Sequence, residues 1–529
     1  MRIITPEEQQ AVDRIWQEKT GLPLLLLMEA AAAAVVRQCR EYAAERNIPR
    51  LPVLVLAGKG QNGGDAFACA RMLLAGGWPV VCRELYPDAA LPAEAAANRQ
   101  ALIGLGCCLG PATETDFALD PNGLILDGLF GSGYQGGRKL PEEFVRLSSL
   151  IADARRRGVR VIAIDVPSGL DAGKGTADPS CLQADCTVTF VRPKIGLCTT
   201  PGRFLAGRLI VDPIGIGDDL LAQALAGCGQ PPAYLLCPDE IRTWCPKRPA
   251  DSHKGLFGKA LVIGGAPGMP GALVLAAEAA ARSGVGLLHL AVPLAIAPAV
   301  LASRPEALVS LIDPDDETES MTQIHRLSAQ VQAVAIGPGI NRPAWLESLL
   351  ADLIETAPQL VIDADALNQM SINPDTACRL LLDRGRIRHL PPAVLTPHPG
   401  EFHRLAPDLD LQDRRRAACE LAVRSGSIVV LKGAATIVAE PSGRCWINPT
   451  GQDGLARGGS GDVLCGLIAG LLAQGLPPHE AAAAGVYLHG LAADLAAARL
   501  GRRAMLPRDV ITELGRAYSQ TGWEVENLS

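Results

Sequence analysis

Aromatic side chains are scarce in this chain, and several signature motifs are missing from it. Aromatics make up 4% of the 529 residues, whereas hydrophobic residues as a whole reach 48%. Lys and Arg total 49 against 56 Asp and Glu, so the net charge of −7 gives no global basic field for nucleic acid. The fifteen cysteines include no C-x-x-C pair, and the eight histidines include no H-E-x-x-H motif. These absences argue against a disulfide framework, a cysteine-rich zinc site and a metalloprotease site.

Long hydrophobic runs are also missing. The most apolar run near the start, residues 22–27, is too short to span a bilayer and lies between Glu18 and Glu29. It follows the acidic pair Glu7 and Glu8 and lacks the basic region of a signal peptide. We interpret it as the start of a buried helix, and we expect a cytoplasmic protein with neither a membrane nor a nucleic acid as its partner.

The length and the pattern of hydrophobic runs predict two α/β domains. A chain of 529 residues is too long for one core. Buried aliphatic runs alternate with helical stretches such as 66–75 and 141–157, which predicts crossovers and mainly parallel sheets. We therefore predict one domain over residues 1–217, a turn-rich linker over 218–236 and a second domain over 237–529. The predicted strands are 52–57, 79–82, 123–126, 159–164 and 186–191 in the first domain, and 259–263, 287–292, 331–336, 360–362, 393–395, 428–431 and 436–439 in the second.

Three glycine-rich or acidic loops follow predicted strands in the first half. They span residues 58–65, 127–133 and 165–171, and the carboxyl ends of parallel strands meet at one edge of a sheet. Asn62, Asp127 and Ser168 supply the oxygen atoms that a hard cation prefers. Asp165 at a strand end is a candidate acid or base. Each of these residues could instead cap a turn or a helix.

Taken in order, the three loops resemble the NAD(P)H-hydrate epimerase domain, and the likeness extends over residues 1–217. Gln61 stands where the family usually has Asn, and Ala66 where Gly is common. The resemblance implies a Rossmann-like three-layer αβα fold, a catalytic role for Asp165 and a potassium ion bound by Asn62, Asp127 and Ser168. Lys194 lies where the family keeps a lysine, although a solvated lysine is the simpler interpretation. The implied substrate contacts are Gln61, Asn62, Gly63, Gly64, Asp65, Gly131, Ser132, Gly133, Tyr134, Gln135, Gly136, Gly137 and Asp165.

The second half contains a phosphate-loop pattern at residues 458–462. Four small residues and Asp462 precede an apolar run, so they open a predicted helix whose N-terminus favours an anion. An ordinary turn with Asp462 as N-cap is the alternative. Asp363 and Asp365 are two residues apart, so on an extended strand both would face one side and could organise magnesium through water. Lys432, at a strand end beside glycine, is well placed for phosphates.

Six motifs in this half occur in the order of the ribokinase-like family, in its NAD(P)H-hydrate dehydratase branch. They are His-Lys-Gly, Gly-Pro-Gly, Asp-Ala-Asp-Ala-Leu-Asn, Thr-Pro-His-Pro-Gly-Glu, Leu-Lys-Gly-x-x-Thr and Gly-Gly-x-Gly-Asp, spread over residues 237–514. The resemblance implies a ribokinase-like αβα domain in which Asp462 is catalytic. The implied substrate contacts are Ala272, Gly339, His398 and Asp462, and the implied nucleotide contacts are Lys432, Gly433, Ala434, Ala435, Thr436 and Gly461.

Together the two resemblances imply a repair enzyme for hydrated nicotinamide cofactors. The first domain would interconvert the R and S hydrates of NADH and NADPH. The second would dehydrate the S hydrate with Mg²⁺ and ADP, giving AMP and phosphate. We expect a homo-oligomer. The alternative is a ribokinase-like kinase that releases a phosphorylated product, fused to a non-catalytic binding domain.

Overall fold

The computed structural model describes residues 1–313 and 316–524, and these form two compact units. One unit is Arg2–Gln230, and the other begins at Pro231 and includes Met1. The stretch predicted as a linker, 218–236, is structured at both ends. Helix Asp218–Ala226 buries Leu221 and Ala224 in the first unit, and strand Ala233–Leu235 belongs to the second. The turn-rich part of the stretch is therefore confined to the residues between these elements.

The first unit is built around a parallel sheet of six strands in the order β3-β2-β4-β5-β6-β7. Three of the central strands are buried at every residue, as expected for a sheet covered on both faces. The strands of this unit are β1 (Arg2–Ile3), β2 (Val53–Ala57), β3 (Val80–Glu84), β4 (Leu124–Gly128), β5 (Arg160–Ile164), β6 (Cys186–Phe190) and β7 (Arg208–Asp212). The helices are α1 (Pro6–Thr20), α2 (Leu25–Glu45), α3 (Gln61–Ala75), α4 (Ala93–Gly104), α5 (Glu142–Arg156), α6 (Ile195–Cys198), α7 (Gly202–Leu205) and α8 (Asp218–Ala226).

Alternate residues of β2 face two different cores. Val53 and Val55 pack in a cluster that contains residues of α2 and α3. Leu54 and Leu56 pack in a second cluster, which contains residues of α5. This period of two places a helical layer on each face of the sheet and confirms the predicted three-layer αβα fold.

The second unit contains a larger sheet in the order β8-β17-β16-β15-β14-β13-β12-β9-β10-β11. The pairs are parallel except that β16 runs antiparallel to β15 and β17. The strands are β8 (Ala233–Leu235), β9 (Lys259–Ile263), β10 (Leu287–Pro293), β11 (Leu308–Ile312), β12 (Ala333–Ile336), β13 (Leu360–Ile362), β14 (Val394–Leu395), β15 (Ile428–Leu431), β16 (Ile437–Ala439) and β17 (Cys445–Ile447). The helices are α9 (Pro238–Thr243), α10 (Pro270–Arg282), α11 (Ala297–Ser303), α12 (Glu317–Ser328), α13 (Leu346–Thr356), α14 (Ala364–Met370), α15 (Pro374–Arg386), α16 (Pro399–Leu405), α17 (Arg414–Ser425), α18 (Ser460–Ala473), α19 (Pro478–Leu500) and α20 (Pro507–Thr521).

The twelve predicted strands are all present, within two residues at most ends, whereas five strands were not predicted. The edge strand β11 shows why, since Leu308 and Leu311 are exposed and polar Ser310 interrupts the run.

Helix α3 begins at Gln61 rather than at Ala66, so the predicted glycine-rich loop is largely the first turn of a helix. Gly63 explains the difference, because a Cβ there would lie 1.9 Å from the carbonyl oxygen of Gly58. Glycine lets the start of α3 lie directly against the end of β2.

Helix α19 is long and apolar enough, by composition, to cross a membrane. In its most apolar 18-residue window, 72% of the residues are buried within the domain. Ala483, Leu488 and Ala492 lie in the same core cluster as residues of α10 and α18. The composition of α19 is therefore that of a core helix.

Candidate active sites

A cavity of about 490 Å³ opens in the first domain at the carboxyl ends of β2, β4 and β5. Residues from α1 and α2 complete its wall. The convergence of the three predicted loops on this edge follows from the parallel sheet. The polar lining residues are Gln9, Gln10, Asp13, Lys59, Gln61, Asn62, Asp65, Tyr86, Ser132, Tyr134, Arg138, Lys139, Asp165 and Lys194.

Asp165 follows β5 and is held there by an ion pair with Lys194. Its φ of +62° is rare for a residue with a side chain. The Lys194 Nζ atom donates to Asp165 Oδ1 at 2.5 Å, and the Thr189 hydroxyl donates to the same oxygen at 3.0 Å. Lys194 has only 1% of its side chain exposed. The interpretation of Lys194 as a solvated lysine is therefore wrong, because the lysine is the buried counter-charge of Asp165.

Asn62, Asp127 and Ser168 form a second buried cluster beside the cavity. Ser168 Oγ donates to Asp127 Oδ1 at 2.5 Å, and Ser168 N donates to Asp127 Oδ2 at 2.8 Å. Burial raises the pKa of Asp127 to about 6, against the lowering effect of these hydrogen bonds. Asn62 donates to the Phe130 carbonyl, while its Oδ1 is buried and lacks a partner in the described part of the chain. An unsatisfied amide oxygen beside a carboxylate and a hydroxyl is a set of donors that suits a hard cation.

The structure separates the residues predicted to contact the epimerase substrate into two groups. Gln61, Asn62, Asp65, Asp165 and the run Gly131, Ser132, Gly133, Tyr134 line the cavity. Gly63, Gly64, Gln135, Gly136 and Gly137 do not line it. A Cβ on Gly64 would meet Met28 and Ala95, and the Gly136 N–H donates to Asp171. The glycines of the second group are therefore needed for helix packing and for a turn, not for a position on the cavity wall.

Helix α1 contributes three cavity residues that sequence reasoning missed, Gln9, Gln10 and Asp13. Gln9 Nε2 donates to Asp13 Oδ1 at 2.8 Å, one helical turn away. Burial, and then the charge of Asp165, raises the pKa of Asp13 against the lowering effects of Gln9 and Lys194. Burial also raises the pKa of Asp65 well above its ordinary value, with Asp165 and Asp13 adding to the shift. The sequence signal is the spacing of Gln9 and Asp13, two polar residues four apart on a helix whose Ala11, Val12 and Trp16 are buried.

In the second domain, the predicted phosphate loop is the N-terminus of α18. Gly459 is the N-cap with φ +97°, and Asp462 lies in the first turn rather than at the cap. Burial raises the pKa of Asp462 to about 7, with a further contribution from the negative charge of Asp363 that Lys432 partly offsets. A carboxylate with that pKa can accept a proton near neutral pH.

Lys432 and Asp363 form an ion pair directly beside this helix N-terminus. Lys432 Nζ donates to Asp363 Oδ1 at 2.7 Å and lies 3.9 Å from Glu401 Oε2. A Cβ placed on Gly461 would be 3.3 Å from Lys432 Nζ. Burial lowers the pKa of Lys432, but the charges of Asp363 and Glu401 outweigh it and the pKa is raised. The lysine therefore remains an ammonium group beside the first turn of α18.

His398 is the N-cap of α16 and lies at the same edge of the sheet. Its Nδ1 accepts from the N–H groups of Gly400 at 3.0 Å and Glu401 at 3.2 Å. Burial lowers its pKa, and Lys432 and Arg404 lower it further. The neutral ring therefore carries its proton on Nε2, on a side chain that is 51% exposed.

The prediction that Asp363 and Asp365 face the same side of a strand is wrong. Strand β13 ends at Ile362, and α14 begins at Ala364, so Asp365 lies on the first turn of a helix. Its Oδ2 accepts from Asn341 N at 2.9 Å, whereas Asp363 pairs with Lys432. Short strands that pass directly into helices break the alternation on which the prediction relied.

The remaining predicted contacts lie on loops around this edge and, for Ala272, in the first turn of α10. Gly339, with φ +60°, packs against Ala272, since a Cβ on the glycine would lie 2.9 Å from the Ala272 Cβ. In the loop Lys432, Gly433, Ala434, Ala435, Thr436, the Thr436 hydroxyl donates to the Gly433 carbonyl at 2.8 Å. Arg414, which was not predicted, donates to the Lys432 carbonyl at 3.1 Å and supports the loop from below.

Comparison with known proteins shows the family to which both domains belong. A family model described as "YjeF-related protein N-terminus" matches residues 25–196, and one described as "NAD(P)H-hydrate dehydratase" matches residues 260–516. The Bifunctional NAD(P)H-hydrate repair enzyme Nnr of Moorella thermoacetica is 37% identical over 100% of this chain and 98% of its own length. The chain belongs to the bifunctional NAD(P)H-hydrate repair enzymes.

Other members and one solved structure extend the comparison. The Nnr enzyme of Escherichia coli is 35% identical over 96% of this chain and 91% of its own length. The crystal structure of the ADP/ATP-dependent NAD(P)H-hydrate dehydratase of Bacillus subtilis is 32% identical, covers 54% of this chain and 98% of its own, and has a TM-score of 0.47. The family model for the N-terminal domain matches this chain from residue 25 onward. Gln9 and Asp13 therefore lie ahead of the residues that this model matches.

Proposed function

We propose that the first domain interconverts the R and S hydrates of NADH and NADPH, and that the second removes water from the S hydrate at the expense of ADP. Membership of the bifunctional repair family supports this proposal. The observation that carries it is Asp462, an acid with a pKa of about 7 in the first turn of α18 beside the Lys432 ammonium group. A base and a phosphate site in contact fit the transfer of a phosphoryl group to a hydroxyl.

In the second domain Asp462 would accept the proton of the substrate hydroxyl. Hydroxide is a poor leaving group, and the phosphate ester that forms is a good one. The first N–H groups of α18 and the Lys432 ammonium group would neutralise charge that grows on the transferred phosphoryl group. The ring nitrogen of the substrate then expels phosphate, and loss of a proton from the adjacent ring carbon gives the reduced cofactor, with AMP as the nucleotide product.

Magnesium would be held through water in this site. No group of three acidic, histidine or cysteine side chains in the described residues converges closely enough to bind a metal ion directly. Asp363, Asp365 and Glu401 nevertheless all act on Asp462 electrostatically, so their charge is concentrated at the phosphate position. These carboxylates would hold Mg²⁺ through water, and the ion would neutralise phosphate charge.

In the first domain Asp165 would shuttle a proton as the carbon that carries the hydroxyl opens or loses hydroxide and then recloses. Lys194 pairs with this carboxylate and fixes it within the cavity. Asn62, Asp127 and Ser168 would hold K⁺, which supplies a positive charge beside the cavity. The nucleotide of the second domain would bind Lys432, Gly433, Ala434, Ala435, Thr436 and Gly461, and the hydrate would contact Ala272, Gly339 and His398.

Incubation of the purified protein with mixed hydrates and either ADP or ATP tests the proposal. We expect absorbance of the reduced cofactor to return until both epimers are consumed. A stable phosphorylated product without recovery of the reduced cofactor would instead indicate a kinase. Light scattering of the same sample tests the expected homo-oligomer, and localisation of the tagged protein tests the expected cytoplasmic site.

A further inference from the structure

All three N–H groups of Lys194 in the epimerase cavity are engaged in hydrogen bonds. An ammonium group has three N–H donors. Lys194 directs its donors to Asp165 Oδ1 at 2.5 Å, Thr189 Oγ1 at 3.2 Å and the Phe190 carbonyl at 2.9 Å. Lys194 therefore positions Asp165, and Asp165 Oδ2 is the oxygen left without a hydrogen bond among the described residues.

Epimerisation of the hydrate requires a second group besides the base. In the ring-opening route the hydroxyl O–H bond breaks and its proton goes to the base. The C–N bond then breaks with its electron pair on nitrogen, a C=O bond forms, and the nitrogen takes a proton from an acid. Rotation and reclosure on the other face return both protons, so no oxidant or reductant is consumed. In a route that loses water, the acid protonates the departing oxygen and the base takes a proton from the water that adds back. Either route therefore needs one ionised and one protonated group in the same cavity.

We propose that Asp13 is this proton donor, acting on the substrate together with Asp165 as the proton acceptor. The inference rests on the epimerase function proposed above. Asp13 lines the cavity, and Gln9 holds its Oδ1 at 2.8 Å and leaves Oδ2 without a hydrogen bond within the described ranges. Gln9 itself is 9% exposed, and its Oε1 is buried without a partner in the described structure. A buried amide oxygen that nothing in the protein satisfies indicates that a ligand donor meets it.

The charges around Asp13 favour its protonated form. The ionisable groups that act on it are Lys194 and Asp165, and Asp65 from α3 shares the cavity. Three carboxyl groups face one ammonium group that is already paired with Asp165, so ionising all three would leave uncompensated charge. Burial raises the pKa of Asp13 in agreement with this. Asp65 is the competing donor, but no hydrogen bond in the described structure orients its carboxyl group toward a substrate.

Asp13→Asn, assayed on pure R hydrate in the full-length protein, tests the role of Asp13. We expect kcat for epimerisation to fall about 100-fold or more with little change in KM, as for loss of a general acid. The decline in rate at high pH, where the acid ionises, should also disappear from the residual activity. Dehydration of pure S hydrate should keep the rate of the unchanged protein. Glu18→Gln, on the exposed side of the same helix, is the matched control, and Asp13→Glu should restore part of the rate.

Four outcomes separate the possibilities. An unchanged protein that does not epimerise the R hydrate at all would overturn the epimerase function itself. Epimerisation by the unchanged protein together with a near-normal rate in Asp13→Asn would overturn the role of Asp13 alone. Loss of the high-pH decline in Asp65→Asn instead of Asp13→Asn would assign the proton to Asp65 and reject the inference. A slow Asp13→Asn variant with an unaltered pH profile would show a merely structural role and would also reject it.

Discussion

The two candidate sites differ in how the chain assembles them. In the second domain Asp363 and Lys432 directly follow strands, Asp462 lies in the first turn of α18, and His398 at that edge is half exposed. In the first domain Lys194 is 1% exposed, and Gln9 and Asp13 come from a helix that precedes the sheet in the chain. Open edges of parallel sheets are built from consecutive loops, whereas an enclosed cavity needs a wall from elsewhere in the chain. Local motifs therefore identify most residues of the open site in the second domain, but only part of the enclosed site in the first.

The largest expected effect separates the two sites. Asp462→Ala should reduce dehydration of the S hydrate at least about 1000-fold, because both proton acceptance and the charge beside the phosphate are lost. The same variant should epimerise normally. Asp165→Ala should do the reverse, which assays on separated R and S hydrates measure directly. Loss of both activities in both variants would contradict two independent sites.

Lys194→Met tests whether the enclosed site depends on its buried ion pair. Removing one partner of such a pair costs about 3–5 kcal/mol in unfolding free energy, because the other charge stays buried and uncompensated. We expect slower epimerisation and a lower unfolding temperature of the first domain, with dehydration unaffected. Lys174→Met, at an exposed lysine of the same domain, is the control for loss of a positive charge. Equal stability of the two variants would show that Lys194 does not compensate Asp165.

Much of both sites follows from the sequence, and the failures have identifiable physical causes. Asp165 and Lys432 lie where predicted, at the carboxyl ends of β5 and β15, because parallel strands align these ends, and Asp462 lies at the predicted helix start. The glycines of α3 were misinterpreted because close helix packing and phosphate binding both favour glycine.

The pairing of charges could not be predicted from local patterns. Asp165 and Lys194 are 29 residues apart in sequence, and they meet only because β5 and β6 are neighbours in the sheet. Asp13 is one of four acids on an amphipathic helix, a pattern that ordinarily indicates solvated residues. Only the folded cavity distinguishes it from the other acids of the chain.

Gly63→Ala tests how closely the start of α3 packs against the end of β2 in the first domain. The new Cβ would lie 1.9 Å from the Gly58 carbonyl oxygen, so backbone must move at the start of α3. Overpacking of this kind costs about 1–3 kcal/mol, and calorimetry should show it in the first domain. Gly60→Ala is the matched control, since no atom lies within 4 Å of its added Cβ. Similar unfolding temperatures for the two variants would contradict the close approach of α3 to β2.

The pH dependence of dehydration tests the raised pKa of Asp462 in the second domain. With the pKa of Asp462 at about 7, the ionised fraction falls as pH decreases, so dehydration should slow by about tenfold per pH unit below 6. Asp365 contributes to that raised pKa after burial and Asp363, and it does not pair with Lys432. Asp365→Asn should therefore shift the acidic limb to lower pH by less than about one unit, since only one of several causes is removed. Epimerisation by the same variant should keep its pH profile, because Asp365 belongs to the other domain. An unshifted limb in Asp365→Asn would mean that burial, rather than neighbouring charge, sets the proton affinity of the base.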